Sequence, residues 1–427
     1  MGRKISTKPL PAEIVSVTKL VHGGQGLAEL SDGRKVFVWN ALPGETVRAQ
    51  VIKQKSSYAE AIAEEIMVAS PDRVAPKETN YLSTSPWQII KFSAENDHKK
   101  SIVLDLFAHE KVALPAVGAV VHGDQEWHYR NKMEYSFWGD DDGLHLALHQ
   151  RGSHGKQIVT GSELAMPAID AGANAIATQL SLMQARAGDL KTIMVRADAK
   201  GNAVAALFVK LESFKKLELP AELKGLRVYH SNPKSPASVP TKLLYELGNT
   251  TLHDSVNGNR LAYDPVSFFQ ANLPVFEQAV QSINKATAKA GKIVDFYSGV
   301  GSIGLSLKNT TTLVETDSLA TDMAKINVGS RQLEVVKAIA ETALDYIAAD
   351  ATLIVDPPRA GLHQKVVDRI LAVQPPHVVY LSCNPATQAR DLKLLAERYT
   401  ITQFQIYNFF PKTPHIETLA ILELHGQ

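Results

Sequence analysis

From residue 292 onward the chain alternates short apolar runs with segments of helical spacing, and that alternation restricts this third of the protein to a doubly wound parallel sheet. Strands are predicted over 292–296, 312–314, 335–339, 353–355 and 377–382, with 400–407 and 418–424 closing the sheet. Helices are predicted from about Ser302, over 318–327 and 362–371, and over 387–397, where apolar residues recur at helical spacing. In such sheets ligands sit outside the carboxyl ends of the strands, and the unusual residues of this sequence fall there. Gly299-Val300-Gly301-Ser302-Ile303-Gly304 follows the first strand, and Glu315 ends the second, placed to accept ribose hydroxyls. NAD, FAD and S-adenosylmethionine all fit a glycine turn of this kind. Asp295-Phe296-Tyr297-Ser298, set before the glycines, favours S-adenosylmethionine, because a pyrophosphate avoids a carboxylate that an ammonium or a sulfonium tolerates.

The only cysteine of 427 residues stands in Tyr380-Leu381-Ser382-Cys383-Asn384-Pro385, at a strand-to-helix junction. Asn384 suits an N-cap and Pro385 a first helical position, so the helix dipole is expected to favour the Cys383 thiolate. Against this stands a buried cysteine serving as a small hydrophobe. A strand earlier, Asp356-Pro357-Pro358-Arg359 has arginine where amino-directed methyltransferases place a base-stacking aromatic, which weakens that reading. A thiol one strand further on fits carbon methylation, since C5 of a pyrimidine becomes nucleophilic only after a thiolate adds to C6. Removal of the C5 proton then needs a base. Glu417, just before the last strand and near Phe409, Phe410 and His415, is the candidate, its pKa expected to be raised.

At 427 residues the chain is too long for one core, so two or three domains are expected: 1–69, 70–258 and 259–427. Residues 9–69 are strand-rich and turn-punctuated, as in a small barrel, with Lys53, Lys55 and Tyr58 as an RNA-facing strip or an ordinary solvated surface. A linker at 71–80 and a helix over 93–108 lead into an α+β region with a hairpin at 135–148, a helix at 171–185 and a loop at 232–240. His145, His149 and His154 do not form a convincing metal set. One cysteine excludes an intrachain disulfide and a four-cysteine metal centre, and with no apolar run of membrane length it points to the cytoplasm and away from membranes. Met1-Gly2-Arg3-Lys4-Ile5-Ser6 matches a short myristoylation pattern. A net charge of +1 is neutral on nucleic acid, and nothing demands a protein partner.

Ser267-Phe268-Phe269-Gln270-Ala271-Asn272, residues 295–301 and 356–361, Ser382-Cys383-Asn384-Pro385 and residues 411–417 resemble the successive motifs of the RNA 5-methyluridine methyltransferases. Tyr129-Arg130-Asn131-Lys132 extends the resemblance into the central region. The Gly23-Gly24-Gln25-Gly26 and Ala41-Leu42-Pro43-Gly44-Glu45 turns resemble a TRAM domain, an OB-like RNA-binding barrel. The resemblance implies a class I S-adenosylmethionine-dependent methyltransferase sheet, Cys383 as nucleophile and Glu417 as base. It also implies Gln270, Tyr297, Ser302, Glu315 and Asp356 around the cofactor, with Glu341 a looser match. The implied substrate is a uridine in folded RNA that is flipped out for methylation, in 23S ribosomal RNA ahead of transfer RNA. Two alternatives stand beside it: an RNA-binding assembly factor that has lost catalysis, and an RNA cytosine-C5 methyltransferase, which would carry a cysteine after the Asp-Pro of residues 356–357. Many relatives hold an iron-sulfur cluster on four cysteines. Here Glu78, Thr84, Trp87 and Ser162 align with those places, so no cluster is expected, and Trp87 is expected to fill part of its volume; Gln88, Lys99 and the run from Arg151 to His154 still follow the family.

Overall fold

The computed structural model describes residues 11–152 and 155–426, which leaves the pattern at residues 1–6 and His154 outside the described residues. The chain forms two compact units, one of Met1–Ile102, His149–Gly155 and Lys412–His415, the other of Val103–Leu148, Lys156–Pro411 and Ile416–Gln427.

The first unit is built on six strands: β1 (Ala12–Ser16), β2 (Lys19–Leu20), β3 (Gly26–Glu29), β4 (Lys35–Trp39), β5 (Thr46–Gln54) and β6 (Tyr58–Val68). Their order is β1-β5-β6-β4-β3-β2, so β1 and β2, consecutive in the chain, form the two edges and the sheet curls around a core of valines and alanines. Strand β6 has no counterpart in the sequence prediction, because its alanines and glutamates carry little strand propensity. Pairing with β5 and β4 makes it a strand nonetheless. Lys53 pairs with Glu60 across that pairing at 2.5 Å, an exposed ion pair. At the foot of the sheet the buried Glu45 carboxylate accepts from Leu42 N, Ser70 N and the Arg73 guanidinium. Burial opposes its ionisation, but Arg73 and the two amides hold its pKa below the usual carboxylate value. Trp87 is fully buried and donates to the Gly24 carbonyl at 3.0 Å, while Gln88 ties Glu78 to Ser85. Beneath Trp87 lies a buried Lys99–Glu95 ion pair of 2.9 Å, whose carboxylate also accepts from Lys412 N.

The second unit contains two seven-stranded sheets. The central one joins β7 (Lys132–Asp140), β8 (Gly143–His149), β9 (Lys156–Ile158), β10 (Leu190–Ala197), β11 (Ala203–Val209), β12 (Gly225–His230) and β13 (Lys242–Gly248) in the order β13-β12-β11-β10-β7-β8-β9. The helix Pro167–Leu182 packs Ile169, Ala173, Ile176 and Leu180 onto one face, against Ile193, Val195 and Leu207. Strands β14 (Leu252–Val256) and β15 (Asn259–Tyr263) follow as a hairpin. Its turn has positive φ at Asn257 and Gly258, which matches the twist of a two-residue hairpin. That hairpin spans the boundary expected at 258, and its Leu252, Val256, Leu261 and Tyr263 belong to the C-terminal core.

The C-terminal sheet comprises β16 (Ile293–Phe296), β17 (Thr310–Glu315), β18 (Glu334–Lys337), β19 (Thr352–Val355), β20 (His377–Ser382), β21 (Tyr399–Tyr407) and β22 (Glu417–Leu424), ordered β18-β17-β16-β19-β20-β22-β21. The five strands from β18 to β20 are parallel, as the alternation predicts, and β22 runs antiparallel to both neighbours. The helix expected from Ser302 is absent. Only a 3-10 turn, Gly304–Ser306, intervenes before β17 begins at Thr310, because too few residues remain for a helix and Gly304 is pinned to Asp295 Oδ2 at 2.9 Å. The other helices, Ser318–Val328, Gln364–Val373 and Pro385–Leu395, lie within a turn of their expected positions.

Candidate active site

The strand order reverses at β16, which lies between β17 and β19, and a cavity of about 650 Å³ opens at the carboxyl ends there. Its shape follows from local chemistry. After β16 the backbone turns sharply through Tyr297, Gly299 and Gly301, all at positive φ. A Cβ on Gly301 would lie 2.7 Å from Leu305, so the turn requires glycine. Glu315, at the end of β17, is oriented by three backbone amides, from Gly299 (2.8 Å), Thr316 (2.7 Å) and Asp317 (2.8 Å). Gln270 is seated by Asn131, whose Nδ2 donates to its carbonyl at 2.8 Å.

Cys383 follows β20, and Asn384 caps the next helix by accepting from Ala386 N, as its sequence predicts. Glu417 is the first residue of β22 rather than a loop residue before it. In the antiparallel β20–β22 register Ser382 faces Thr418, so Cys383 and Glu417 emerge side by side from adjacent strands. Gln388 locks this register by donating to the Tyr380 and Thr418 carbonyls and accepting from the Thr418 hydroxyl.

Six of the seven residues singled out in the sequence line this one cavity: Gln270, Tyr297, Glu315, Asp356, Cys383 and Glu417. Glu341 lines it as well. Ser302 does not; it lies past the glycine turn, where its carbonyl accepts from the Ser306 hydroxyl. Sequence reasoning assigned no role to two further lining residues, Lys132 and Phe268, although both stand in the quoted motifs. Phe268 is 61% exposed at the cavity, and its place in the Ser267–Asn272 motif is the signal that could have marked it. His145 has a carboxylate neighbour after all, Asp140 at 3.0 Å across the hairpin, yet among the described residues no cluster of three or more ligating side chains occurs.

The electrostatics differ from expectation at the thiol. Burial, then the nearby Glu417 and Asp356 carboxyls, push Cys383 up to about 12, with Arg359 opposing. One helix terminus, an effect worth about 1 kcal/mol, does not outweigh desolvation beside two acids. The acids themselves are displaced in the same sense. Burial raises Asp356 to about 7, and burial with Asp356 and Glu315 nearby raises Asp295 to about 8. Burial and Asp356 raise Glu417 well above a free carboxyl, in the direction predicted. Asp295 Oδ1 also has no hydrogen-bond partner. Buried acids gathered around a single lining cation favour a positively charged ligand. S-adenosylmethionine fits in charge and in size.

A family model described as tRNA (uracil-5-)-methyltransferase matches residues 91–348 and 337–425. The chain belongs to that family. It is therefore an S-adenosylmethionine-dependent RNA (uracil-C5) methyltransferase, and a TRAM domain model matches residues 14–63. Uncharacterized RNA methyltransferases of Lactobacillus johnsonii and Thermotoga maritima are 30% and 28% identical to it, each over 96% of this chain and 97% and 98% of their own. The Pyrococcus abyssi tRNA (uracil-54, C5)-methyltransferase, solved with S-adenosyl-L-homocysteine, shares the fold of this family member at a TM-score of 0.74 and 21% identity, covering 96% of this chain and 99% of its own. With one cysteine, this member of the family lacks the thiolates of a four-cysteine cluster. Among the described residues no helix is long and apolar enough to cross a membrane.

Proposed function

We propose that the enzyme methylates C5 of a uridine in folded RNA through a covalent bond from Cys383 Sγ to C6, with Glu417 taking the C5 proton. The observation that carries this reading is the order of side chains along the strand ends. Reading β18, β17, β16, β19, β20, β22, the cavity meets Glu341, Glu315, Tyr297, Asp356, Cys383 and Glu417 in turn. Glu315 and Cys383 are three strand spacings apart, about 14 Å, which suits an adenosine at one end and a reacting carbon at the other. Gln270, Tyr297, Glu315 and Asp356 would hold the cofactor, with Glu341 beside the adenosine and Ser302 outside the set. Bound there, S-adenosylmethionine supplies the methyl group that C5 takes up.

A cation seated against Asp356 favours the ionised forms of Asp356, Glu417 and Cys383 together. Cys383 then adds to C6, and the C5–C6 π pair moves toward C5 and O4. Once C5 carries both hydrogen and methyl, Glu417 removes the proton, the double bond re-forms and the thiolate leaves. Pro358 occupies the place where a cytosine-C5 enzyme would carry its cysteine, which supports uracil as the base.

The TRAM domain supports ribosomal RNA, with 23S as the favoured molecule. The family's description favours transfer RNA as the second reading. The test joins the two catalytic groups. Cys383→Ala should give neither product nor adduct, whereas Glu417→Gln should stall as a denaturant-stable protein–RNA band carrying label from S-adenosylmethionine. Full activity in either variant would overturn the assignment. Mapping 5-methyluridine in ribosomal and transfer RNA from a deletion strain decides the substrate.

A further inference from the structure

We propose that Lys132 is a further catalytic group of this site, protonating the C4 oxygen of the flipped uracil as Cys383 adds to C6, and that Arg196 is the positioning residue that makes its proton transferable. The proposal rests on the uracil-C5 reading and on Cys383 as nucleophile.

Lys132 is the only lysine or arginine among the described residues that line the cavity, which it shares with Cys383, Glu417 and Gln270. Its place is fixed from both sides. Asn131, the preceding residue, bonds the Gln270 carbonyl at 2.8 Å and the Ala271 carbonyl at 3.2 Å, so the start of β7 is held against the Gln270 loop. Arg130 Nε donates to the Lys132 carbonyl at 3.0 Å. In the antiparallel β7–β10 pair Lys132 stands directly opposite Arg196, which places both side chains on the same face of the central sheet.

Arg196 is fully buried, and none of its three guanidinium nitrogens makes a hydrogen bond. It faces the Tyr263 ring at 5.3 Å, and the Tyr263 hydroxyl is in turn bonded to Asp254 at 2.5 Å. A buried guanidinium beside an ammonium is costly unless the arrangement serves the site. Its effect is on the lysine. Burial and then Arg196 bring Lys132 down to about 7, with Arg130 adding to the shift and Glu134 and Asp264 partly offsetting it. Lys132 lines the same cavity as Asp356, Glu417 and Cys383, the groups whose charge changes during the reaction.

The chemistry calls for such a donor. As the S–C6 bond forms, the C5–C6 π pair moves into C4–C5 and the C4–O4 pair moves onto oxygen, which takes a proton from Lys132 Nζ and leaves the amine neutral. When C5 takes up its methyl group, C4=O4 re-forms and the proton returns to Nζ. The other polar lining groups are acids, the Cys383 thiol, the Gln270 amide and the Tyr297 and Thr316 hydroxyls, none of which carries positive charge to a developing oxyanion, and Arg359, the cation that acts on Cys383 and Glu417, is not part of the lining. A donor at this position also accepts a C4 carbonyl and rejects the amino group of cytosine.

The test uses the full-length protein, single-turnover conditions and ribosomal plus transfer RNA from a strain lacking the enzyme. Lys132→Met should slow adduct formation by about 10² to 10⁴ while S-adenosylmethionine affinity stays within about twofold. Lys132→Arg, which keeps charge but does not release a proton, should be as slow. The wild-type rate should fall as pH rises past about 7, and Arg196→Met should move that fall to higher pH. Arg196→Lys, which keeps the charge and covers the case of a poorly folding methionine variant, should leave it in place. Wild-type adduct rates in Lys132→Met, or restoration by arginine, would overturn the proton transfer, and an unmoved pH limb in Arg196→Met would remove Arg196 from it. Activity surviving in Cys383→Ala would defeat the underlying reading instead, whatever Lys132→Met does.

Discussion

Asp391 Oδ2 accepts a hydrogen bond from the Leu362 amide at 2.8 Å, which ties the helix behind Cys383 to the turn behind Asp356. The same oxygen accepts from the Tyr380 hydroxyl at 2.8 Å, and the Asn384 and Thr387 side chains donate to the Arg359 carbonyl. Asp391→Asn would keep the volume but turn one acceptor into a donor facing these groups. It should cost about 2 kcal/mol of stability. It should also lower kcat more than it weakens S-adenosylmethionine binding, as read by melting temperature, calorimetry and steady-state rates.

Cofactor binding should depend on pH. Asp356 at about 7 and Asp295 at about 8 are largely protonated in the free enzyme below neutrality, and a cationic ligand favours their ionised forms. S-adenosylmethionine affinity should therefore rise with pH and level off above about 8. Calorimetry in two buffers of different ionisation heat should detect proton release at pH 6.5 and almost none at pH 9; an equal, flat response at both would contradict the shifts. Because both folded pKa values lie above the ordinary 3.8, the stability these groups contribute is full below about 4 and is lost as pH rises through 7 to 8. Added cofactor should offset that loss.

Glu45 acts in the opposite sense. Its pKa is held below the usual value, so the stability it contributes is present above pH 4.5 and lost as pH falls through the lower folded value. Glu45→Gln leaves the Arg73 guanidinium without its charge partner. A loss of about 3 kcal/mol in denaturant unfolding is expected, the cost of breaking a buried pair from one side.

Gly304→Ala tests the short turn that replaces the expected helix. A Cβ there would lie 2.5 Å from Leu313 and 2.8 Å from the Asp295 carboxyl, so Asp295 must move. The variant should lose about 1 to 3 kcal/mol of stability. It should weaken S-adenosylmethionine binding without abolishing RNA retention on a filter.

The C-terminal sheet and most of the candidate cavity lining were readable in the sequence because the parallel strands are short apolar runs and the candidate residues follow at their ends. Cys383 and Glu417 stood out for that reason. The thiol's acidity was not readable, since it depends on Asp356 and Glu417 being buried beside it, and their distance in sequence carries no trace of that. Strand β6 escaped because its alanine-rich composition speaks for a helix until two neighbouring strands claim its backbone. Lys132 escaped for a similar reason: what distinguishes it from a surface lysine is Arg196, 64 positions later, set opposite it by a strand pairing.

The last strand of the sheet runs against its neighbours. Had β22 joined β20 in parallel, Glu417 would begin at the far end of the sheet, about 20 Å from the thiol for a six-residue strand. A slip of one residue would turn its carboxyl to the other face. The spacing of Cys383 and Glu417, the proposed nucleophile and base, is thus a property of backbone pairing, and the Gln388 bonds make it a stiff one. Loops that grip RNA can diverge freely around such a pair, since no change in what is recognised needs to disturb the separation at which the chemistry happens.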